Sequence, residues 1–183
     1  RSGGKYITFG IKESNDVLSW CNYLTQKFGN DIEILLGGVS LGSSTVMMSS
    51  NLNLPKQVKG IIGDCGFDSR KQILKDVMKA KHVPFVNLVL FIINIYFHMF
   101  MKIGINDKSS SKSLSESNIP ILIIHGRGDD FVPYYTSEVC FEKANTKIKL
   151  FYPTDSFAHG ASYFDNKEEY VDKVLEFLNL INY

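Results

Sequence analysis

A serine between glycines, Gly38-Val39-Ser40-Leu41-Gly42, follows the apolar run Ile34-Leu35-Leu36 and precedes the small residues Ser43 and Ser44. A G-x-S-x-G string with a strand before it and a helix after it has the context of a nucleophile elbow. Its glycines let the chain turn sharply and leave the serine exposed at the tip. The following helix aims its N-terminus at that tip, where free N–H groups favour a developing negative charge. Such a serine attacks carbonyl carbon, and it needs a base and a residue that orients the base.

After an elbow of this kind the acid comes next along the chain and the histidine last. The stretch IPILIIHGRGDDFVP delivers Asp129 and Asp130 into the loop after a buried strand. Of the four histidines, His82 and His98 fall in an apolar insert, and His125 ends a strand before Gly126, where it supports the loop. His159, in the loop Asp155 to Gly160 before the last helix, is therefore the base. Asp64 is an alternative acid from a neighbouring strand. Cys65, beside it in GDCGFDS, reads as a small buried residue rather than a nucleophile.

These side chains need a scaffold that ends several strands at one edge. Apolar runs at Ile34 to Leu36, Val58 to Gly63, Ile119 to Ile124 and Ile148 to Tyr152 read as buried strands. Helical patterns alternate with them: Val17, Leu18, Cys21, Leu24 and Phe28, capped by Ser14 or Asn15 and closed by Gly29-Asn30; then Leu41 to Ser50, Ser137 to Ala144, and Asn166 to Leu180. Continuous apolar strands alternating with helices predict an α/β fold, a mostly parallel sheet with helices on both faces. Two stretches break the rhythm. Asp107 to Ser117 is Ser-rich and reads as a surface loop. Val83 to Met101 carries no charged side chain apart from its histidine, and its length approaches a membrane span. Pro84, Asn87, Asn94 and His98 interrupt it between two strands of one sheet, so it reads as a buried or lid helix.

Composition narrows the classes. The 183 residues hold 44% hydrophobic and 21% charged side chains, the balance of a globular domain. Twenty basic residues against 19 acidic give a net +1, with no basic excess for nucleic acid. Three scattered cysteines form neither a disulfide framework nor a zinc pattern. The start, Arg1-Ser2-Gly3-Gly4-Lys5, has no signal-peptide pattern and no Met, so the chain is read as beginning inside a longer protein.

The blocks GVSLGSSTVMM, GDCGFDS, IPILIIHGRGDDFVP and AHGASYFDNKEEYVDKVLEFL, in that order, resemble the α/β-hydrolase superfamily. They are most similar to bacterial serine hydrolases of the serine aminopeptidase and monoglyceride lipase group. In the family pattern HG-x-x-D-x-x-VP the acid aligns with Asp129, leaving Asp130 at a variable position. The histidine of its H-x-x-S-Y block aligns with His159. The resemblance implies core segments at 1–68 and 119–183 and a helical lid insert at 69–118. It also implies that strands 5 to 8 are present, because RSGGKYITFG resembles the loop after strand 4. Strand 5 would then have an open apolar edge.

The implied reaction is acyl transfer to water through an acyl-enzyme on Ser40, with no metal or organic cofactor. Leu41 N–H would be one oxyanion donor; the other belongs to the loop after strand 3, which this sequence does not contain. Loss of one such donor costs about 100- to 1000-fold in rate. These residues alone are therefore expected to be poorly active or unable to fold. Phe85, Leu88, Phe91, Ile92, Ile95, Tyr96 and Phe100 of the insert could line an apolar acyl pocket or simply pack the lid. The expected partner is a small ester or peptide-like molecule, and nucleic acid is not. A second reading is an impaired hydrolase fragment that acts as an interaction module, its open edge offering a route to a homo-oligomer. A third is membrane association through Val83 to Met101, which is not expected of this segment. The compartment stays open: cytoplasm, or export or anchoring through a segment outside this chain.

Overall fold

The computed structural model describes residues 4–183. The first three residues of the expected loop tail RSGGKYITFG lie outside the described residues. Four strands, β1 (Ile34–Val39), β2 (Val58–Asp64), β3 (Ile121–Gly126) and β4 (Lys149–Thr154), form one parallel sheet in the order β1-β2-β3-β4. Every residue of β3 is buried, as a central strand covered on both faces must be.

The two sheet faces have different covers. One face carries Ile34, Leu36, Val58, Ile61, Ile121 and Ile123. It packs against α1 (Glu13–Phe28), α2 (Leu41–Ser49), α5 (Ser110–Ser115) and α6 (Tyr135–Lys143). The other presents Leu35, Ile62, Leu122, Ile124 and Tyr152 to Phe177, Val174 and Tyr170 of α8 (Lys167–Leu180). The period of two along the strands makes this division, and the register shift beside Ile34 and Leu35 skips one residue of β2, which lets Val58 and Ile61 share a face.

Register fixes where the loops emerge. Val39 pairs with Asp64, Asp64 with Ile124, and Ile124 with Tyr152. All four strands therefore end at one level, and the loops after β1, β3 and β4 leave from the same edge. The outer side of β1 is unpaired among the described residues, and Val39 is exposed there. An apolar groove lined by Val17, Trp20, Leu24, Leu35 and Leu36 runs beside it.

Between β2 and β3 the chain makes an excursion over this edge. It contains α3 (Arg70–Ala80), α4 (Val86–Tyr96) and a π-helical turn (Phe97–Met101). Ser69 and Ser109 form an isolated antiparallel bridge that ties its two ends together. The Arg70 guanidinium is fully buried, stacks on the Phe97 ring at 4.2 Å and donates to the Gly104 carbonyl. Leu90, Phe97 and Met101 pack with Met48, Phe67 and Val132 of the body.

Two expectations need correction. Asp107 to Ser117 is not simply a loop: Ser109 caps α5 by accepting from Lys112 N–H, and Ser110, Ser113 and Leu114 are buried. Local side-chain capping organises a serine-rich stretch that composition alone reads as unstructured. The excursion consequently closes at the Ser69–Ser109 bridge, ahead of the boundary at 118, and α5 belongs to the body.

Candidate active site

The turn from β1 into α2 begins with Gly38. A Cβ there would lie 2.3 Å from the Gly42 carbonyl carbon, so only glycine fits. A Cβ at Gly42 would meet nothing within 4 Å, so the second glycine is not forced by the close approach expected of both. Ser40 has φ 55° and ψ −118°, a conformation disfavoured for a side-chain-bearing residue. Its amide donates to the Asp64 carbonyl at 2.9 Å and its carbonyl accepts from Ser44 N–H at 3.1 Å, which holds the turn. Leu41 N–H opens α2, where no carbonyl one turn earlier is available to it.

Ser40, His159 and Asp129 meet at this edge. Ser40 Oγ lies 2.7 Å from His159 Nε2, and His159 Nδ1 lies 2.8 Å from Asp129 Oδ2. A carboxylate only accepts, so Nδ1 carries the proton and Nε2 is left to accept from the Ser40 hydroxyl. The Asp129 side chain is 1% exposed and that of His159 23%. Burial pushes the Asp129 carboxyl up. Hydrogen bonds from His125 and His159, and from the amides of Phe131 and Val132 at 2.9 Å each, outweigh it and hold the group at about 2. Asp129 thus stays ionised beside His159.

The competing acids are placed elsewhere. Asp130 is exposed. Asp64 is buried with Oδ2 3.3 Å from the Tyr170 hydroxyl, and burial raises it to about 6. Cys65 Sγ approaches His159 Nε2 at 4.0 Å, a proximity that the reading of Cys65 as a packing residue misses. Burial, with Asp64 adjacent, pushes its thiol up to about 12. Ligand atoms of Cys65, Asp129 and His159 lie within 4.8 Å of one another. Both ring nitrogens of His159 already face Ser40 and Asp129, and the thiol stays protonated.

Two neighbours escape the motif reading. The Phe131 ring lies 5.3 Å from the His159 ring. His125 supports the loop as expected, but it also reaches the acid, and its place four residues before Asp129 is the only sequence signal of that. The residues read as acyl-binding do not gather into a closed pocket. Phe85 at the start of α4 and Leu88, Phe91, Ile92 and Ile95 along its outer side are 44 to 80% exposed, and so are Tyr96 and, in the π-helical turn, Phe100. The inner side, Val86, Leu90 and Ile93, is the one that packs on the body.

No family model matches the chain. An uncharacterized Bacillus subtilis protein, YqkD, is 25% identical over 182 residues, which cover 100% of this chain and 59% of YqkD. The chain thus spans somewhat more than half of its curated relative. The Pyrococcus furiosus esterase Pf2001 superposes with a TM-score of 0.69 at 19% identity, over 100% of this chain and 66% of the esterase. MGS-MChE2, an alpha/beta hydrolase enzyme from a lagoon-sediment metagenome, superposes with a TM-score of 0.61 at 17% identity, over 97% of this chain and 74% of that one.

Proposed function

Because the chain has the α/β-hydrolase fold of these enzymes, we propose that it belongs to a serine hydrolase that cleaves a carboxylic ester or amide through an acyl-enzyme on Ser40. The observation that carries this reading is the unbroken relay from Ser40 Oγ through His159 to the buried Asp129. His159 Nε2 takes the proton from Ser40 Oγ as the oxygen attacks the carbonyl carbon. Leu41 N–H donates to the oxyanion. Imidazolium then protonates the leaving alcohol or amine, and the C–O or C–N bond breaks. Water repeats the sequence on the acyl-enzyme and returns the proton to Ser40. Asp129 keeps the tautomer and offsets the charge on the imidazolium.

Intact-mass analysis after treatment with a fluorophosphonate tests this. The expected result is one adduct that Ser40→Ala abolishes. No adduct on a folded chain speaks against an activated serine. It favours instead the interaction-module reading, which the unpaired edge of β1 and the exposed Trp20 beside it support.

A further inference from the structure

The outer side of the lid is a second candidate site, independent of the triad. Eight of the sixteen residues from 85 to 100 are large, apolar and at least 44% exposed. Phe85, Leu88, Ile92, Ile95 and Met99 recur at spacings of three and four, so they form one stripe, and Phe91 widens it. The opposite side of the same helix supplies the core contacts of Val86, Leu90 and Ile93. The exposed stripe therefore takes no part in packing on the described body. Contiguous apolar surface of this kind marks an interaction site.

Charge says what covers it. Residues 70 to 102 hold six basic side chains and one acidic, a net +5. The chain as a whole is +1, which leaves −4 for everything else. Lys71, Lys75 and Lys79 share one side of α3 by their spacing of four. Lys75 and Lys79 line the same surface depression as Phe85 and Leu88. The single acid of the segment, Asp76, is turned away: it accepts from the Tyr135 hydroxyl of α6 at 2.7 Å and from Gln72 of its own helix.

We infer that the lid face formed by the α4 stripe and the α3 lysines docks on an anionic lipid surface. An apolar plane beside lysines, with the neighbouring acid facing inward, matches the acyl boundary and headgroups of such a layer. A second copy of this chain is a poorer fit, since face-to-face docking would bring two lysine rims together. The mode is lying rather than crossing. With its 11 residues α4 extends about 16 Å, short of the roughly 30 Å hydrocarbon core. No helix among the described residues is long and apolar enough to span a membrane. The expectation that this segment stays off membranes weighed a spanning helix; the exposed stripe asks for a flat one.

Vesicle sedimentation tests the proposal. The protein should pellet with phosphatidylcholine vesicles that contain about one third phosphatidylglycerol, and far less with phosphatidylcholine alone or at high salt. Lys75→Glu/Lys79→Glu, at surface positions, should lower partitioning roughly tenfold or more. Leu88→Ser/Ile92→Ser should abolish it, with an unchanged circular dichroism spectrum. Ser40→Ala should bind as the parent does, so this proposal and the hydrolase reading fail separately. Equal pelleting with and without vesicles would overturn it. So would binding indifferent to both double variants, or a dimer that the serine variants dissolve in the absence of any vesicle binding.

Discussion

His125 Nε2 lies 3.2 Å from Asp129 Oδ2, the same carboxylate oxygen that accepts the His159 Nδ1 hydrogen bond at 2.8 Å. Two imidazoles thus converge on one acid from opposite roles. His125 is fully buried, with Nε2 also 3.0 Å from the Val132 carbonyl and Nδ1 2.6 Å from Ser137 Oγ. A carbonyl only accepts, so Nε2 bears a proton, and Nδ1 shares its hydrogen bond with the Ser137 hydroxyl. His125 thus offers its Nε2 hydrogen to the Asp129 carboxylate and is anchored at its other nitrogen by Ser137.

Removing that donor should be visible in the pH profile. Hydrogen bonds to charged groups contribute about 1.5–3 kcal/mol, so His125→Ala should slow fluorophosphonate labelling roughly 10- to 100-fold. His125 helps hold the Asp129 carboxyl down. Without it the folded-state value rises, and the acid limb of labelling against pH moves to higher pH. His125→Asn should recover part of the rate. An unmoved acid limb with a folded protein would leave His125 no more than a packing residue.

Asp129 and Asp64 should pull stability in opposite directions with pH. Asp129 is held at about 2, below the unfolded value. Its contribution is complete above that unfolded value and lost as pH falls toward 2. Asp64 is raised to about 6, chiefly by burial that the Tyr170 hydroxyl only partly offsets. Its contribution is complete in acid and lost as pH rises through about 6, where a buried carboxylate must charge. Asp64→Asn should therefore stabilise at pH 8 by on the order of 2 kcal/mol, raising Tm by roughly 4–8 °C, and change little at pH 4. Thermal melts at both pH values decide it; equal shifts at both would refute the ionisation argument.

Sequence and structure agree most closely where one physical rule dominates. The four strands read as short apolar runs because burial on both faces leaves no polar position in them. Ser40 and His159 were legible because the elbow and the loop before the last helix surround each with a recognisable context. The residues alone left Asp129 and Asp130 open until the family pattern favoured Asp129; in the structure His159 Nδ1 and the amides of Phe131 and Val132 all meet Asp129, while Asp130 points to solvent. The apolar insert was legible as a helix but not in its orientation. Both stripes of α4 are apolar, so periodicity could not say which one packs on the body. The helix α5 was hidden because its signal is a serine cap and not an apolar period.

Gly38 and Gly42 should respond differently to a methyl group. At Gly38 an alanine Cβ would overlap the backbone of Gly42 and Ser43 at 2.3 to 2.6 Å, and neither can retreat without opening the turn. Gly38→Ala should cost more than about 3 kcal/mol or yield a folded protein that takes no probe. Gly42→Ala puts its methyl in open space inside a helix, where alanine is the better helix former. It should keep the melting temperature or raise it slightly, and it should keep labelling. Equal damage from both substitutions would mean that the turn is not held by the Gly38–Gly42 approach.

Cys65 tests whether proximity to the base amounts to participation. Its Sγ is 4.0 Å from His159 Nε2, on the same nitrogen that serves Ser40. The buried thiol is pushed up to about 12 and stays protonated at neutral pH, so it is a weak nucleophile and a poor target for alkylation. Cys65→Ala should label within about threefold of the parent rate, less than 1 kcal/mol of barrier. Iodoacetamide applied before the fluorophosphonate should leave the adduct unchanged. A loss beyond tenfold in the variant, with the fold intact, would bring the thiol into the reaction. Rapid alkylation that blocks the probe would show that the pocket opens around Cys65 in solution.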